Sequence, residues 1–152
     1  MNIQWFPGHM TKAKRQMQED IRLIDLVIEL LDARIPLASR NPEIDQLARD
    51  KARMILLNKA DLSDPKVTSR WKEYFERQGM TVLALDSRSA SLRKPMQKAI
   101  MDATEKKRAR DLRRGIKNRP VRAMIAGIPN VGKSTLINSL AGRAAARTGN
   151  KP

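Results

Sequence analysis

Cysteine is absent from the 152 residues of the chain, histidine occurs once, and aromatic residues make up only 3%. The lack of cysteine excludes disulfides, thiolate metal sites and cysteine nucleophiles, and it is compatible with a reducing compartment. Long apolar runs are also missing. The longest, residues 23–31, is interrupted by Asp25 and Glu29, whereas a membrane-spanning helix requires about 20 apolar residues. The chain begins without a signal peptide's basic start and apolar stretch, so we expect a cytoplasmic protein with no membrane partner.

Acidic residues are also scarce, with 16 Asp and Glu against 31 Lys and Arg and a net charge of +15. Such a surface favours a polyanionic partner, because the counterions of that partner are released when it docks. Nucleic acid fits better than a membrane, since no helical segment pairs its basic residues with a large aromatic or leucine-rich face. The alternative is a charge that only keeps the chain soluble.

Short apolar segments alternate with amphipathic segments along the chain, which has about the length of one domain. The apolar segments predict strands at residues 23–31, 54–57, 81–85 and 121–126. Helices are predicted at residues 11–20, 41–50, 63–78, 92–114 and 134–140. This alternation predicts an α/β fold built from parallel β-α-β units with right-handed crossovers. Ligands of such sheets bind at the carboxyl ends of the strands.

Residues 127–134, GIPNVGKS, match the phosphate-loop pattern G-x-x-x-x-G-K-[ST]. Glycines let backbone N–H groups surround the phosphates, and the following helix adds the positive end of its dipole. Lys133 is expected to bridge the β- and γ-phosphates, and Ser134 to place its hydroxyl on Mg²⁺. The segment follows a predicted strand and opens a predicted helix, as a phosphate loop requires; the alternative is a glycine-rich turn. Nucleotide contacts are predicted for Pro129, Asn130, Val131, Gly132, Lys133, Ser134 and Thr135.

Residues 58–61, NKAD, form a second nucleotide motif directly after an apolar strand. The Asp61 carboxylate would accept two hydrogen bonds from guanine that adenine cannot donate, so the site would discriminate strongly between the bases. Lys59 would lie over the base, and Asn58 would tie this loop to the phosphate loop. A helix-capping turn is the alternative interpretation of these four residues.

The order of these motifs is unusual, because the phosphate loop precedes the guanine motif in an ordinary GTPase. Ser87 and Arg88 follow the third predicted strand, in the place of a further guanine-contacting loop, although an ordinary strand-to-helix turn is the alternative. On these features, the opening WFPGHM at residues 5–10 and the DARIP segment at residues 32–36, the chain resembles the YlqF/RbgA family of circularly permuted GTPases. The resemblance spans nearly the whole sequence. It implies a circularly permuted, parallel-sheet P-loop NTPase fold that binds GTP and GDP with Mg²⁺.

The resemblance also implies roles for His9 and Asn130. In this family the N-terminal histidine is proposed to position or activate the attacking water, and imidazole suits that task near neutral pH. The alternatives are that the aromatic N-terminal segment packs as an arm or stacks on RNA. Asn130 matches the asparagine that helps to hold K⁺ near the phosphates in potassium-stimulated GTPases.

The basic residues are concentrated in residues 106–119, a stretch without aromatic side chains. We therefore expect contact with RNA phosphates rather than recognition of bases, with a solvated helix end as the alternative. The family implies the precursor of the large ribosomal subunit and its ribosomal RNA as partners. RNA contacts are predicted for Lys12, Lys14, Arg15, Lys106, Lys107, Arg108, Arg110, Arg113, Arg114 and Lys117.

The predicted organisation is an N-terminal basic arm and helix, residues 1–20, followed by a circularly permuted GTPase domain, residues 21–152. Members of the family continue into two switch segments and a helical C-terminal domain, so we expect this chain to be truncated after the phosphate-loop helix and to hydrolyse GTP poorly. Residues 121–126 would then form an open sheet edge that invites self-association, whereas the complete protein is expected to be a monomer.

The leading functional hypothesis is a GTP-binding and GTP-hydrolysing factor in assembly of the large ribosomal subunit, docked on ribosomal RNA through basic surfaces. The alternative is a non-catalytic RNA-binding assembly module with residual guanine-nucleotide binding. A P-loop ATPase is disfavoured by Asn58 and Asp61.

Overall fold

A computed structural model describes residues 3–8, 14–86, 91–117, 119–127 and 132–141. Within these ranges the chain forms five strands, six α-helices and one 3-10 turn. The strands are β1 (Ile3–Gly8), β2 (Leu26–Asp32), β3 (Ala52–Asn58), β4 (Thr81–Ala84) and β5 (Val121–Ala126). The helices are α1 (Lys14–Ile21), α2 (Glu43–Leu47), α3 (Pro65–Arg77), α4 (Arg93–Ala103), α5 (Glu105–Arg113) and α6 (Lys133–Ala141), with the 3-10 turn at Ala60–Leu62.

The strands form one sheet in the order β1-β5-β2-β3-β4, and every neighbouring pair is parallel. The predicted α/β fold with a parallel sheet is therefore confirmed. All seven residues of β2 are buried, as expected for a strand with helices on both faces of its sheet.

The two faces of β2 supply separate parts of the core. Leu26, Ile28 and Leu30 pack in one cluster with residues of α4 and α6, such as Met96 and Leu136. On the other face, Val27 belongs to a cluster with Ile44 of α2, and Leu31 belongs to a cluster with Phe75 of α3. This division follows the two-residue period of a strand, in which successive side chains point to opposite faces.

The N-terminal segment differs from its prediction, because residues 3–8 form the sheet strand β1 rather than an arm. Ile3 and Trp5 are partly buried against the core cluster of α4 and α6, and these residue types favour half-buried strands. Pro7 is tolerated because β1 is an edge strand. Strand β5 is paired with β1 on one side and β2 on the other. The predicted open edge at residues 121–126 is therefore wrong.

The continuous helix predicted for residues 92–114 is also wrong, since α4 and α5 are separated at Thr104. The buried Thr104 hydroxyl donates to the carbonyl oxygen of Ile100 at 2.7 Å. A threonine that bonds back to this carbonyl bends a helix. The backbone of Thr104 leaves the helical region at φ −105° and ψ 11°, and Gly115 ends the second helix at φ 77°.

Candidate nucleotide site

The predicted nucleotide motifs both lie at the carboxyl edge of the sheet. The guanine motif, residues 58–61, begins with the last residue of β3, and the phosphate loop, residues 127–134, follows β5. Strand β2 lies between these two strands, so the loops start about 10 Å apart at the usual strand spacing. The arrangement allows one loop to bind a base while the other binds phosphates.

Backbone hydrogen bonds hold the guanine motif in place. Asn58 is buried, at 1% exposed, and its carbonyl oxygen accepts from the N–H of Ala33 at 2.7 Å. The N–H of Ala60 donates to the carbonyl oxygen of Leu85, beyond β4, at 3.1 Å. Asp61 lies exposed in the 3-10 turn that follows. The motif is thus attached to the ends of both neighbouring strands.

Lys59 turns the chain at the centre of this motif. Its φ of 60° and ψ of 34° place it in the left-handed region, and it is the one non-glycine residue with positive φ in the described ranges. Such a backbone costs about 1–2 kcal/mol. It persists where surrounding contacts hold the chain, as the bonds of the flanking residues do here.

Asp32, the last residue of β2, connects this motif to the loop after β2. It pairs in register with Asn58, and its carboxylate accepts two hydrogen bonds from the Arg34 guanidinium at 2.9 and 2.7 Å. Lys59 Nζ lies 3.7 Å from the same carboxylate. The Arg34 hydrogen bond, followed by smaller effects that include the Lys59 charge, lowers the pKa of Asp32 to about 2.

Sequence reasoning gave Asp32 and Arg34 no role of their own. Their spacing, with an arginine two residues after the carboxylate, is the only sequence signal of this local ion pair. The resulting cluster places Arg34 beside the guanine motif, and the pKa of Arg34 is raised mainly by Asp32, with a smaller effect from the charge of Asp61. The arrangement sets the electrostatic surroundings in which Asp61 would meet a base.

The described end of the phosphate loop leads directly into α6. Gly132 has φ 101°, and its carbonyl oxygen accepts from the N–H of Leu136 in the first turn of α6 at 3.0 Å. Lys133 and Ser134 are half-buried in that turn, with Thr135 exposed beside them. Burial lowers the pKa of Lys133. A phosphate there would supply the counter-charge that favours the ammonium form.

Several predicted site residues lie outside the described part of the chain or have no described side chain. Gly8, the residue before His9 in the sequence, pairs in register with Ala126, which precedes the phosphate loop. Lys14 and Arg15 fall within α1, without described side chains. The predicted residues outside the described ranges are His9, Lys12, Ser87, Arg88, Pro129, Asn130 and Val131.

The predicted RNA contacts fall into two groups. Lys107 lies 2.9 Å from Asp111 and 3.5 Å from Asp25 and is only 15% exposed. Arg108 donates to the carbonyl oxygen of Met101 at 2.7 Å. The charged groups of Lys107 and Arg108 are thus bonded to other groups of the protein. The other RNA contacts predicted in residues 106–117 are exposed, namely Lys106, Arg110, Arg113, Arg114 and Lys117.

The described residues contain no group of three or more His, Asp or Glu side chains arranged to hold a metal ion. A Mg²⁺ at this site would be coordinated by the Ser134 hydroxyl and by the nucleotide's own phosphates.

None of the described helices has the length and apolar character needed to cross a membrane.

Comparisons with known proteins relate both the sequence and the sheet to ribosome-associated GTPases. A family model described as a 50S ribosome-binding GTPase matches residues 122–152. The chain is 50% identical to ribosome biogenesis GTPase A of Priestia megaterium, with 100% of this chain and 53% of the relative covered. It is 42% identical to the protein named Short integuments 2, mitochondrial, of Arabidopsis thaliana, covering 95% of this chain and 36% of that protein.

A solved structure supports the same relation. The crystal structure of GNP-bound YlqF from T. maritima matches with a TM-score of 0.64 and 34% identity, over 88% of this chain and 49% of that one. The chain therefore spans about half the length of the curated relatives it matches. The full-chain identity, the parallel sheet and the reversed motif order relate this chain to the YlqF/RbgA family of GTPases, and the match to the solved structure shows a P-loop NTPase fold.

Proposed function

We propose that this chain is the guanine-nucleotide-binding module of a circularly permuted GTPase that acts in assembly of the large ribosomal subunit. The observation that carries the proposal is the placement of the guanine motif and the phosphate loop at the carboxyl ends of two strands of one parallel sheet. Relatives named ribosome biogenesis GTPase A support the same activity and setting. The cytoplasm is the proposed location.

The nucleotide would bind across the carboxyl edge of β2. Asp61 would accept the two guanine hydrogen bonds, with Lys59 over the base and Asn58 tying the loops together, and Ser87 and Arg88 would complete the base site. The phosphates would lie on the loop backbone from Pro129 to Thr135. In that loop, Lys133 would bridge the β- and γ-phosphates, Ser134 would hold Mg²⁺, and Asn130 would contribute to a K⁺ site.

Hydrolysis would require a residue that orients water toward the γ-phosphate. His9 is the proposed residue, because the strand that precedes it ends beside the start of the phosphate loop, with Gly8 paired to Ala126. An imidazole is suited to positioning water near neutral pH. Catalysis of this kind depends on position, so the role of His9 is tested by turnover and not by binding.

Base specificity provides the first test. Fluorescent GDP and ADP are titrated against the chain and its Asp61→Asn variant, and we expect a guanine preference that falls by about 100-fold or more in the variant. Asp64→Asn is the matched control, since Asp64 is an exposed carboxylate that caps α3 three residues away. Equal binding of GDP and ADP by the parent chain would refute the proposed function.

Turnover provides the second test. Single-turnover GTP hydrolysis is measured with and without large ribosomal subunits, for a full-length protein that contains this chain and for its His9→Ala variant, because the chain by itself is expected to hydrolyse GTP poorly. We expect the variant to lose rate while its GDP affinity stays within about twofold, because positioned proton transfer or water orientation contributes roughly 10²–10⁴-fold. An unchanged rate would remove His9 from the mechanism.

A second candidate function is a non-catalytic RNA-binding assembly module. The net charge of +15 and the exposed lysines and arginines of α5 favour docking on ribosomal RNA whether or not GTP is hydrolysed. Guanine-nucleotide binding without hydrolysis, in the presence of large subunits, would favour this function over the first. In both cases the proposed partners are a precursor of the large subunit and its ribosomal RNA.

A further inference from the structure

We propose that the amino-terminal edge of the sheet, opposite the nucleotide loops, is a binding surface for double-helical RNA. This inference rests on the RNA docking of the proposed function and assigns it a location. The surface, here called the basic edge, lies in the loops that precede β2, β3 and β5. It consists of Arg22, Arg49, Lys51, Arg114, Lys117 and Arg119.

The fold brings these residues together from three separate parts of the sequence. Strands β5, β2 and β3 are consecutive neighbours in the sheet, so the loops that precede them are also neighbours, at about 5 Å per strand. Lys51 Nζ donates to the backbone carbonyl of Arg22 at 3.3 Å. Arg119 lies 3.8 Å from Asp25, the residue before β2. Only the tertiary structure creates this surface.

Most of the basic edge lacks internal charge compensation. Within the described ranges, no ion pair involves Arg22, Arg49, Arg114 or Lys117, and all four are exposed. The loop carboxylate Asp25 is occupied by Lys107 and Arg119. One further carboxylate of these loops, Asp50, is exposed.

Arg40 and Arg53 form a second group of arginines, and nearby carboxylates compensate their positive charges. Arg40 and Arg53 both bond to the buried Glu29, at 3.0 and 3.3 Å, and both also contact Asp45. Those two arginines are only 14% and 12% exposed. The basic edge differs in exposure and in the lack of acidic partners, so a polyanion would gain more by binding there than at Arg40 and Arg53.

Internal contacts hold the basic edge in a fixed shape. The Asp25 carboxylate accepts from the N–H of Arg122 at 2.9 Å and pairs with Lys107 of α5. Lys107 also pairs with Asp111 one turn later. These bonds join α5 to the starts of β2 and β5, so the cations at the end of α5 are presented on a rigid support and less entropy is lost on binding.

The side chains of the basic edge match a double helix better than a single strand. The exposed apolar residues near it are Leu23, Leu112 and Ile116, and none is aromatic. The described ring contacts involve Trp71, Tyr74 and Phe75 of α3. Single-stranded RNA is bound by stacking its bases on aromatic rings, whereas an RNA duplex is recognised through its phosphates and shape. Phosphate contact is the chemistry that these residues offer.

The position of the basic edge predicts that nucleotide and RNA bind at the same time. Strand β2 has seven residues, so the two edges are separated by about 20 Å. That distance exceeds the Debye length of about 8 Å at physiological salt. We expect saturating GDP to change the RNA dissociation constant by less than about twofold.

The test compares two triple charge reversals with equal effects on net charge. The edge variant is Arg22→Glu, Arg114→Glu and Lys117→Glu; the control is Lys66→Glu, Arg70→Glu and Lys98→Glu, at exposed positions on α3 and α4. Binding of a labelled 20-base-pair RNA duplex is followed by fluorescence anisotropy across a salt series. We expect the edge variant to bind at least about 10-fold more weakly, with its salt slope reduced by about 3. The control should stay within about threefold of the parent chain.

Each other outcome overturns the inference. If both variants weaken binding equally, or neither does, the basic edge is not the site, although RNA docking itself survives. If the parent chain binds no duplex, the docking part of the proposed function fails with it. Tighter binding of a single strand, or equal competition by polyglutamate, would reject a double helix as the partner. Circular dichroism confirms folding, and the single variants Lys117→Glu and Lys66→Glu repeat the comparison if a triple variant unfolds.

Discussion

Two carboxylates of β2 form ion pairs of different kinds. Glu29 is buried on one face of the sheet between Arg40 and Arg53. Asp32 lies at the end of the strand, where it meets Arg34 and Lys59. Burial decides how much each pair contributes to stability. Water screens the charges of an exposed pair, whereas a buried pair is screened little and is costly to break.

Replacing Glu29 with alanine would remove the buried one of the two carboxylates that Arg40 and Arg53 share. We expect the free energy of unfolding to fall by about 3–5 kcal/mol, as for other broken buried pairs. Urea denaturation measures this change. Asp45→Ala is the control, because Asp45 contacts the same two arginines but is 48% exposed, and its loss should cost less than about 1 kcal/mol. Equal costs for the two variants would contradict the importance of burial.

Asp32 should make stability depend on acidic pH. Its pKa is lowered from 3.8 to about 2, mainly by the hydrogen bond from Arg34, so the folded protein favours the charged carboxylate. The stabilisation is present above pH 4 and is lost as the pH falls toward 2. It amounts to about 1 kcal/mol after screening around the half-exposed Arg34 is allowed for.

Urea denaturation of the parent chain and of Asp32→Asn, from pH 7 to pH 2, tests this dependence. The difference in unfolding free energy between the two proteins should be largest above pH 5 and should fall to a small part of that value by pH 2. A difference that stays constant over this range would show that the charge of Asp32 contributes nothing.

Among the secondary-structure elements, most of the predicted strands and helices are confirmed, and the main errors are a missed strand and a missed helix break. The alternation of apolar and amphipathic segments identified β2, β3, β4 and β5. It missed β1, whose residues become a strand only because β5 and the core beside α4 are available to pair with. The break at Thr104 was missed because the sequence does not show whether a threonine hydroxyl points to solvent or bonds to a carbonyl oxygen of the preceding turn.

The end of α5 depends on the left-handed conformation of Gly115. Its φ is 77°, and an added Cβ would meet no atom within 4 Å, so the cost of Gly115→Ala comes from the backbone alone. We expect a loss of about 1–2 kcal/mol in thermal or urea unfolding. Gly115→Asn should cost less, since asparagine tolerates this conformation better. Equal stability of the parent chain and Gly115→Ala would contradict this explanation.

At the scale of the whole molecule, the sheet has β1 and β4 as its edges and β5 in its interior. The self-association predicted from an open β5 therefore loses its basis in the described structure. An unpaired edge strand would still promote self-association, because it is a template for pairing with another chain. Strand β1 is what protects β5.

Deleting residues 1–8 would expose β5, and we expect the shortened chain to self-associate in a concentration-dependent way. Size-exclusion chromatography with light scattering measures the mass of the species formed. Trp5→Ala is the control, because it removes a partly buried side chain but keeps the backbone pairing of β1. An identical mass for the deletion variant and the control, at every concentration, would contradict the protective role of β1.

The sequence by itself determined the fold class, the phosphate loop, the guanine motif and their reversed order, because each depends on residue types at short, fixed spacings. Local periodicity is enough to predict a strand, and a loop such as residues 127–134 carries its chemistry in consecutive residues. The tertiary structure alone decided the pairing of β1 with β5, the cluster of Asp32, Arg34 and Lys59, and the separation of occupied cations such as Lys107 from exposed ones. Those features join residues that are distant in the sequence or depend on which side chains find a partner, and no local pattern records either.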